Sequence, residues 1–221
     1  MNNSFAQRFT GWTFIASALM LWLGWVLLPV RIGAFFEPDV FGPIQEQFHL
    51  WIWLYRVHLF GLIMAVVALT AFVAQVTASP ARVLIWPGVS VAAAGLLVTA
   101  LGSAFYYHHG AWGSLELAGK SAQDARAFVD ALRVDTEYVT CLTRFGRVFG
   151  GLGLVLFAWG VVRGKHLPAW TGFVAGVLGV AAMALTMGLP DDLELFAPVF
   201  HVFALWLAMV GVVIVRGGVR E

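Results

Sequence analysis

Long apolar runs separated by short polar segments dominate this chain. A helix of about 20 apolar residues is long enough to cross the hydrocarbon core of a bilayer, and six runs reach that length. We place these six predicted spans at about residues 11–30, 50–77, 83–107, 136–162, 170–189 and 195–215. Ser79 and Pro80 are predicted to end the second span, because proline removes a backbone donor and disfavours helix in the residue before it.

This pattern predicts an all-α, polytopic membrane helix bundle that forms one integral membrane domain over residues 1–221. Composition agrees, since 61% of the residues are hydrophobic and only 11% are charged, far from the averages of soluble domains. The net charge of +1, with basic residues at span ends, gives no basic face for nucleic acid. The single cysteine, Cys141, excludes an intramolecular disulfide and every multi-cysteine metal motif.

Basic residues in the connections predict the orientation, because Lys and Arg are enriched in cytoplasmic loops. Six of them fall on one side of a six-span topology: Arg8, Arg82, Arg163, Lys165, Arg216 and Arg220. Acidic residues prevail on the other side, in the first and last loops. Both termini are therefore predicted to be cytoplasmic, in a multi-pass protein of the bacterial inner membrane. The tryptophans near span ends, among them Trp51 and Trp53, suit the aromatic belts of the two interfaces.

The long connection between the third and fourth spans carries a helical pattern of its own over residues 121–133. Ser121 and Asp124 are spaced as a capping box, and apolar residues follow at helical intervals. We expect an amphipathic helix on the outer surface of the membrane. Glycines at four- or seven-residue spacing, such as Gly95, Gly146 and Gly150, predict close helix packing.

Histidines are the main candidates for function. His49, His58, His108, His109 and His201 all fall at or inside the outer ends of predicted spans, whereas His166 is expected to be a solvated loop residue. With a rise of 1.5 Å per residue, His58 lies about 12 Å and His201 about 9 Å inside those ends. Ionisable side chains at membrane depth are costly, so two at matched depth indicate a shared site.

Three arginines add cationic groups at this level: Arg56 precedes His58 by two residues, and Arg144 and Arg147 lie one turn apart in the fourth span. A b-type haem takes axial imidazoles from facing helices and needs cationic partners for its propionates. The sequence therefore predicts an electron-transfer subunit with one haem near the outer face. His58 and His201 are the predicted ligands, and the arginines are the propionate partners. Quinone or a peripheral cytochrome is the expected redox partner.

Two other functions stay open on the same residues. The chain can be a cofactor-free accessory or assembly subunit of a larger membrane complex, in which case these histidines and arginines reach headgroups or acidic residues. Alternatively, His108 and His109 can hold copper, zinc or non-haem iron at the mouth of the third span. Adjacent residues on a helix point about 100° apart, so both bind one ion only if the helix ends there.

Overall fold

In a computed structural model, the chain is described at residues 3–76, 80–189 and 193–217, and these residues contain eight helices and no strand. The helices are α1 (Asn3–Val26), α2 (Phe41–Glu46), α3 (Phe48–Val73), α4 (Arg82–Glu116), α5 (Ala122–Ala131), α6 (Arg133–Gly164), α7 (Ala169–Gly188) and α8 (Leu193–Val215). Six of them, α1, α3, α4, α6, α7 and α8, are long and apolar enough to cross a membrane. The predicted six-helix membrane bundle is confirmed.

The largest difference from the predicted boundaries is at the end of the third span. This span was expected to end near Tyr107, but α4 continues for about two and a half more turns of helix to Glu116. At 35 residues, α4 is about 52 Å long, well beyond the hydrocarbon core. The short helix α2 was not predicted, and the expected stop at Ser79 falls on residues 77–79, outside the described part of the chain.

The six long helices form a closed ring. Each packs on the next one along the chain, and α8 returns to pack on α1. Consecutive long helices run in opposite directions, so the start of α1 and the end of α8 lie at one end of the bundle, here called the terminal end. The opposite end carries α2 and α5 and is called the α2/α5 end. The charge bias predicts that the α2/α5 end is the outer one.

Glycine allows the closest contact in this ring, between α4 and α6. A Cβ atom on Gly95 would lie 2.5 Å from the Gly146 carbonyl oxygen and would also clash with the Gly150 backbone. A Cβ on Gly88 would lie 2.6 Å from the Phe157 backbone nitrogen. Small residues bring two backbones together where lipid supplies no hydrophobic drive for helix association. The predicted role of the glycines in close packing is therefore confirmed at this contact.

Two apolar clusters fill the two ends of the ring. The cluster toward the terminal end includes Phe72, Phe157 and Trp206, all with 1% or less of their surface exposed. The cluster at the α2/α5 end brings Trp51 of α3 and Tyr106 of α4 against the segment that follows α1. Space remains between the clusters, because neither one extends along the whole axis of the ring.

The helix predicted in the connection between α4 and α6 is present as α5. Ser121 accepts a hydrogen bond from the Asp124 backbone, and the Asp124 carboxylate accepts one from the Ser121 backbone, which completes the predicted capping box. The hydrogen bonds from Ser121 also hold the pKa of Asp124 below its usual value. The stability that the ionised Asp124 carboxylate adds to the cap is therefore present above the usual Asp pKa and is lost as pH falls through the lowered pKa. The position of α5 on the membrane surface stays a prediction.

We expect Gly95→Ala to destabilise the bundle, because the added methyl group meets backbone atoms of α6 that cannot move independently of their helix. Overpacking of this kind typically costs about 1–3 kcal/mol. Gly150→Ala is the matched control on the facing helix, since its Cβ has no atom within 4 Å. Thermal unfolding in detergent should show a lower Tm for Gly95→Ala alone. Equal Tm values for the two variants would contradict the close-packing argument.

Candidate functional site

A cavity of about 180 Å³ lies inside the ring, between the two apolar clusters. Every long helix contributes to its wall, which is mostly apolar. The residues that carry polar side chains into this wall are Trp25, Tyr55, His58, Thr99, Ser103, Tyr106, Thr143 and Arg147. The cavity is therefore a property of the whole bundle, and residues far apart in the sequence meet in it.

His58 is the histidine that lines this cavity, and only 8% of its surface is exposed. It lies where α3 packs on α1, so close that a Cβ on Gly24 would be 2.8 Å from the Cβ of His58. Its Nδ1 atom is buried and has no hydrogen-bond partner among the described residues.

Trp25, in the last turn of α1, lies next to His58. The centres of the two rings are 6.0 Å apart, and both rings contact Phe200 of α8, at 5.4 Å from Trp25 and 5.8 Å from His58. The indole Nε1 of Trp25 is also buried and unpartnered within the described part of the chain. Two neighbouring rings thus each bury a polar nitrogen beside the cavity. An unmet hydrogen bond of this kind typically costs about 1–3 kcal/mol.

His201, the second predicted haem ligand, lies elsewhere. Counting from the helix starts, His58 is about 15 Å along α3 and His201 about 12 Å along α8, so their depths match as expected. However, His201 lines a separate groove with Ala18, Leu19 and Trp22 of α1. Phe200, its neighbour on α8, is the residue that faces the central cavity. The structure therefore brings the two histidines to one level but not into one cavity.

The three predicted arginines also separate. Arg147 lines the central cavity, and its guanidinium lies 4.5 Å from the ring centre of Phe196. Arg144 and Arg147 together border a second, polar cavity of about 30 Å³, which is large enough for one water molecule. Arg56 is exposed; it donates a hydrogen bond from Nε to the Tyr107 hydroxyl and does not line either cavity. Arg147 is thus the predicted arginine that shares a wall with His58.

A buried hydrogen-bond network closes the cavity toward the α2/α5 end. The Tyr106 hydroxyl, the Thr140 hydroxyl and the Ala34 carbonyl oxygen lie 2.7 Å from one another. Each hydroxyl has one hydrogen to donate, so at least one of them donates to the carbonyl, and the other donates either to the same carbonyl or to its neighbouring hydroxyl. These bonds tie α4 and α6 to the loop that follows α1, so the loop is fixed over the cavity.

His108 and His109 do not form the predicted metal site in this conformation. Because α4 continues past them, their rings point in different directions, with an angle of 86° between the ring planes. His109 uses Nδ1 to bond the Phe105 carbonyl, and His108 stacks on Trp112. In the described ranges, no three His, Cys, Asp or Glu side chains are grouped as a metal site requires. Metal binding by these two residues stays a prediction.

Two other expectations from the sequence are wrong. His166 is only 5% exposed, because Lys165 adopts a left-handed backbone conformation, with φ of 53°, that turns the chain back onto the end of α6. Trp51 is fully buried and donates a hydrogen bond to the Val30 carbonyl, so it is not an interfacial belt residue. Trp53, two residues later, is 62% exposed and suits the belt.

Comparisons with known proteins leave the site to be interpreted from its own geometry. A scan against protein-family models, a search of curated proteins and a search of solved structures each found no match.

Sequence reasoning missed Trp25, Tyr106 and Phe200 as members of the site. Trp25 lies one residue before the end of α1, a position that is typical of belt tryptophans. Phe200 is one phenylalanine among 18. Neither residue carries a spacing signal, because what places it at the cavity is the rotation of its helix against the neighbouring helices.

We expect Tyr106→Phe to lower stability by about 1 kcal/mol, because it removes a buried hydroxyl that bonds two partners. Tyr107→Phe is the matched control, since it removes a bond to the exposed Arg56 side chain and should change little. Unfolding of both variants in the same detergent measures the difference. A loss of stability in Tyr107→Phe as large as the loss in Tyr106→Phe would argue against a buried closing network.

Proposed function

We propose that this chain is a membrane-embedded binding protein that holds a small lipophilic molecule with a single ring in its central cavity. The observation that carries the proposal is the cavity lined by all six long helices, with the buried nitrogens of Trp25 and His58 beside it. Ligand sites are typically mostly apolar, with a few polar groups that fix orientation. This wall has that character.

The volume of the cavity supports a ligand of one ring. An apolar cavity of about 150 Å³ in another protein holds benzene, and the cavity here measures about 180 Å³. A substituted six-membered ring fits this space. The head of a benzoquinone-type lipid is of this size, and its tail would lie between helices. A haem, with four pyrrole rings, needs the helices to move apart.

In this role the chain fits the accessory-subunit hypothesis better than that of an electron carrier. It needs no redox group of its own, since a larger membrane complex or a second protein would use the molecule that the cavity holds. The polar groups of α2, α4, α5 and α6 at the α2/α5 end offer a surface for such a partner. Binding, with orientation of the ring by Trp25 and His58, is the proposed contribution of this chain.

Filling the cavity should abolish binding. Gly150 lines the cavity and its Cβ position has no atom within 4 Å, so the side chain of Gly150→Leu starts in open space at the cavity wall. Gly188→Leu is the matched control, because its Cβ is equally open but lies outside the cavity. We expect the native protein and Gly188→Leu in lipid nanodiscs to retain 4-methylphenol in equilibrium dialysis, above the level of empty nanodiscs. Gly150→Leu should not, and retention unchanged in Gly150→Leu would overturn the proposal.

A b-type haem is the second candidate, because His58 and Arg147 line the same cavity and supply one axial imidazole and one cationic partner. His201 could join them only if α8 rotated. An absorption spectrum of the purified protein, oxidised and dithionite-reduced, separates the two candidates. The single-ring proposal expects no Soret band. A Soret band that is lost in both His58→Ala and His201→Ala, but kept in the exposed control His49→Ala, would replace it with haem binding.

A further inference from the structure

Two hydroxyl groups in the cavity wall have no hydrogen-bond partner among the described residues. They belong to Tyr55 of α3, which has only 9% of its surface exposed, and to Ser103 of α4. The two hydroxyls do not bond each other either. Neither oxygen is completely covered by protein atoms, whereas Trp25 Nε1 and His58 Nδ1 are sealed from the cavity. Tyr55 and Ser103 can therefore bond a molecule in the cavity directly, and Trp25 and His58 contribute ring surface.

The other hydroxyls of the wall are already bonded. Thr99 donates to the Gly95 carbonyl of its own helix, and Thr143 donates to the Val139 carbonyl. The Tyr106 hydroxyl belongs to the closing network. Within the part of the chain that the structure describes, the two unbonded hydroxyls are thus the ones that a ligand would complete.

Both unbonded hydroxyls belong to the side of the cavity that faces the α2/α5 end. Tyr55 lies about 10 Å along α3, and Leu62, which lines the same cavity, lies about 21 Å along it. On α4, which runs in the opposite direction, Ser103 lies about 12 Å closer to the α2/α5 end than Gly95 does. One turn beyond Ser103 is Tyr107, whose ring centre is 6.1 Å from that of Tyr55. The polar part of a ligand would therefore point to the α2/α5 end.

We propose that the ligand in the central cavity presents a carbonyl oxygen to the hydroxyls of Tyr55 and Ser103, so that its chemical class is an aryl ketone or a quinone. This inference rests on the proposed function. A carbonyl oxygen has two lone pairs and can accept one hydrogen bond from each hydroxyl. Pairing both hydrogens removes the cost of leaving a buried donor unsatisfied.

Other polar groups fit these two hydroxyls less well. A ligand hydroxyl brings a third hydrogen, and one of the three then lacks an acceptor, because Tyr55 and Ser103 do not bond each other to close a ring of donors. An ammonium group only donates, so it pairs neither hydrogen. An ionised carboxylate accepts from both hydroxyls but must lose the hydration of its charge, which costs more than desolvating a carbonyl. The wall thus favours the oxidised, carbonyl-bearing form of a quinone-type ring over its reduced, hydroxyl-bearing form.

Four single-ring probes of nearly the same size test the inference: acetophenone, 1-phenylethanol, cumene and benzoate. Acetophenone only accepts hydrogen bonds, 1-phenylethanol donates and accepts, cumene does neither, and benzoate accepts but is charged. We expect acetophenone to bind about tenfold more tightly than cumene, with 1-phenylethanol between them and benzoate weakest. Affinities are measured by equilibrium dialysis with protein nanodiscs and are corrected for partition into empty nanodiscs, because the probes differ in lipid solubility.

Two variants that each remove one hydroxyl assign the bonds. Tyr55→Phe and Ser103→Ala should each reduce the preference for acetophenone over cumene to about threefold, and the double variant should abolish it. Tyr107→Phe and Ser114→Ala are the matched controls, because they remove hydroxyls outside the cavity, and they should keep the full preference. The affinity for cumene reports whether each variant keeps its cavity, since cumene uses neither bond.

A spectroscopic measurement on the native protein stays decisive even if a variant loses its fold. Accepting two hydrogen bonds weakens a carbonyl bond, so the infrared C=O stretch of carbon-13-labelled acetophenone should move to lower frequency in protein nanodiscs than in empty ones. A bound probe whose stretch is not shifted would overturn the inference.

The outcomes separate this inference from the function on which it rests. If no probe binds above the level of Gly150→Leu, the proposed function itself fails. If all four probes bind equally and are blocked by Gly150→Leu, the cavity binds rings but the carbonyl assignment is wrong, and water completes the two hydroxyls instead. Tighter binding of 1-phenylethanol or benzoate than of acetophenone would also overturn the assignment. A preference for acetophenone that persists in the double variant would assign the carbonyl to Arg147, another donor in the wall, and would overturn it as well.

Discussion

The close approach of α4 and α6 is the contact on which the rest of this bundle depends. These are the two longest helices, and glycine lets their backbones meet without intervening side chains. Because α4 also packs on α3, and α6 on α7, this contact joins the two halves of the ring. The same glycines, Gly95, Gly146 and Gly150, form part of the cavity wall. Helix packing and the shape of the cavity therefore have one origin.

A ring of six helices cannot be filled by backbone packing alone, so side chains must occupy its centre. Large side chains do so at both ends, and between them the wall is smaller and partly polar. The cost of burying Trp25 Nε1 and His58 Nδ1 is not offset by a hydrogen bond from any of the described residues. A hydrogen bond to a water or to a bound molecule would offset it.

Much of the fold could be read from the chain itself. The length of the apolar runs predicted the number of membrane-spanning helices. The spacing of Ser121 and Asp124 predicted the capping box, because its hydrogen bonds join residues that are close in the sequence. The local sequence pattern gave wrong predictions for features that depend on contacts between residues far apart in the chain. α4 passes the predicted end at Tyr107 because its extension packs against α2 and the loop after α1. His166 was expected in solvent but is buried by the left-handed turn at Lys165.

The sequence by itself determined the class of protein, the six spans and the depth of each candidate residue, because helical rise is fixed at 1.5 Å per residue. Only the tertiary structure decided the direction in which those residues point. His58 and His201 lie at matching depths, yet one lines the central cavity and the other a groove between α1 and α8. Rotation about a helix axis depends on what the neighbouring helices present, and an all-round apolar helix carries no polar face that would specify it.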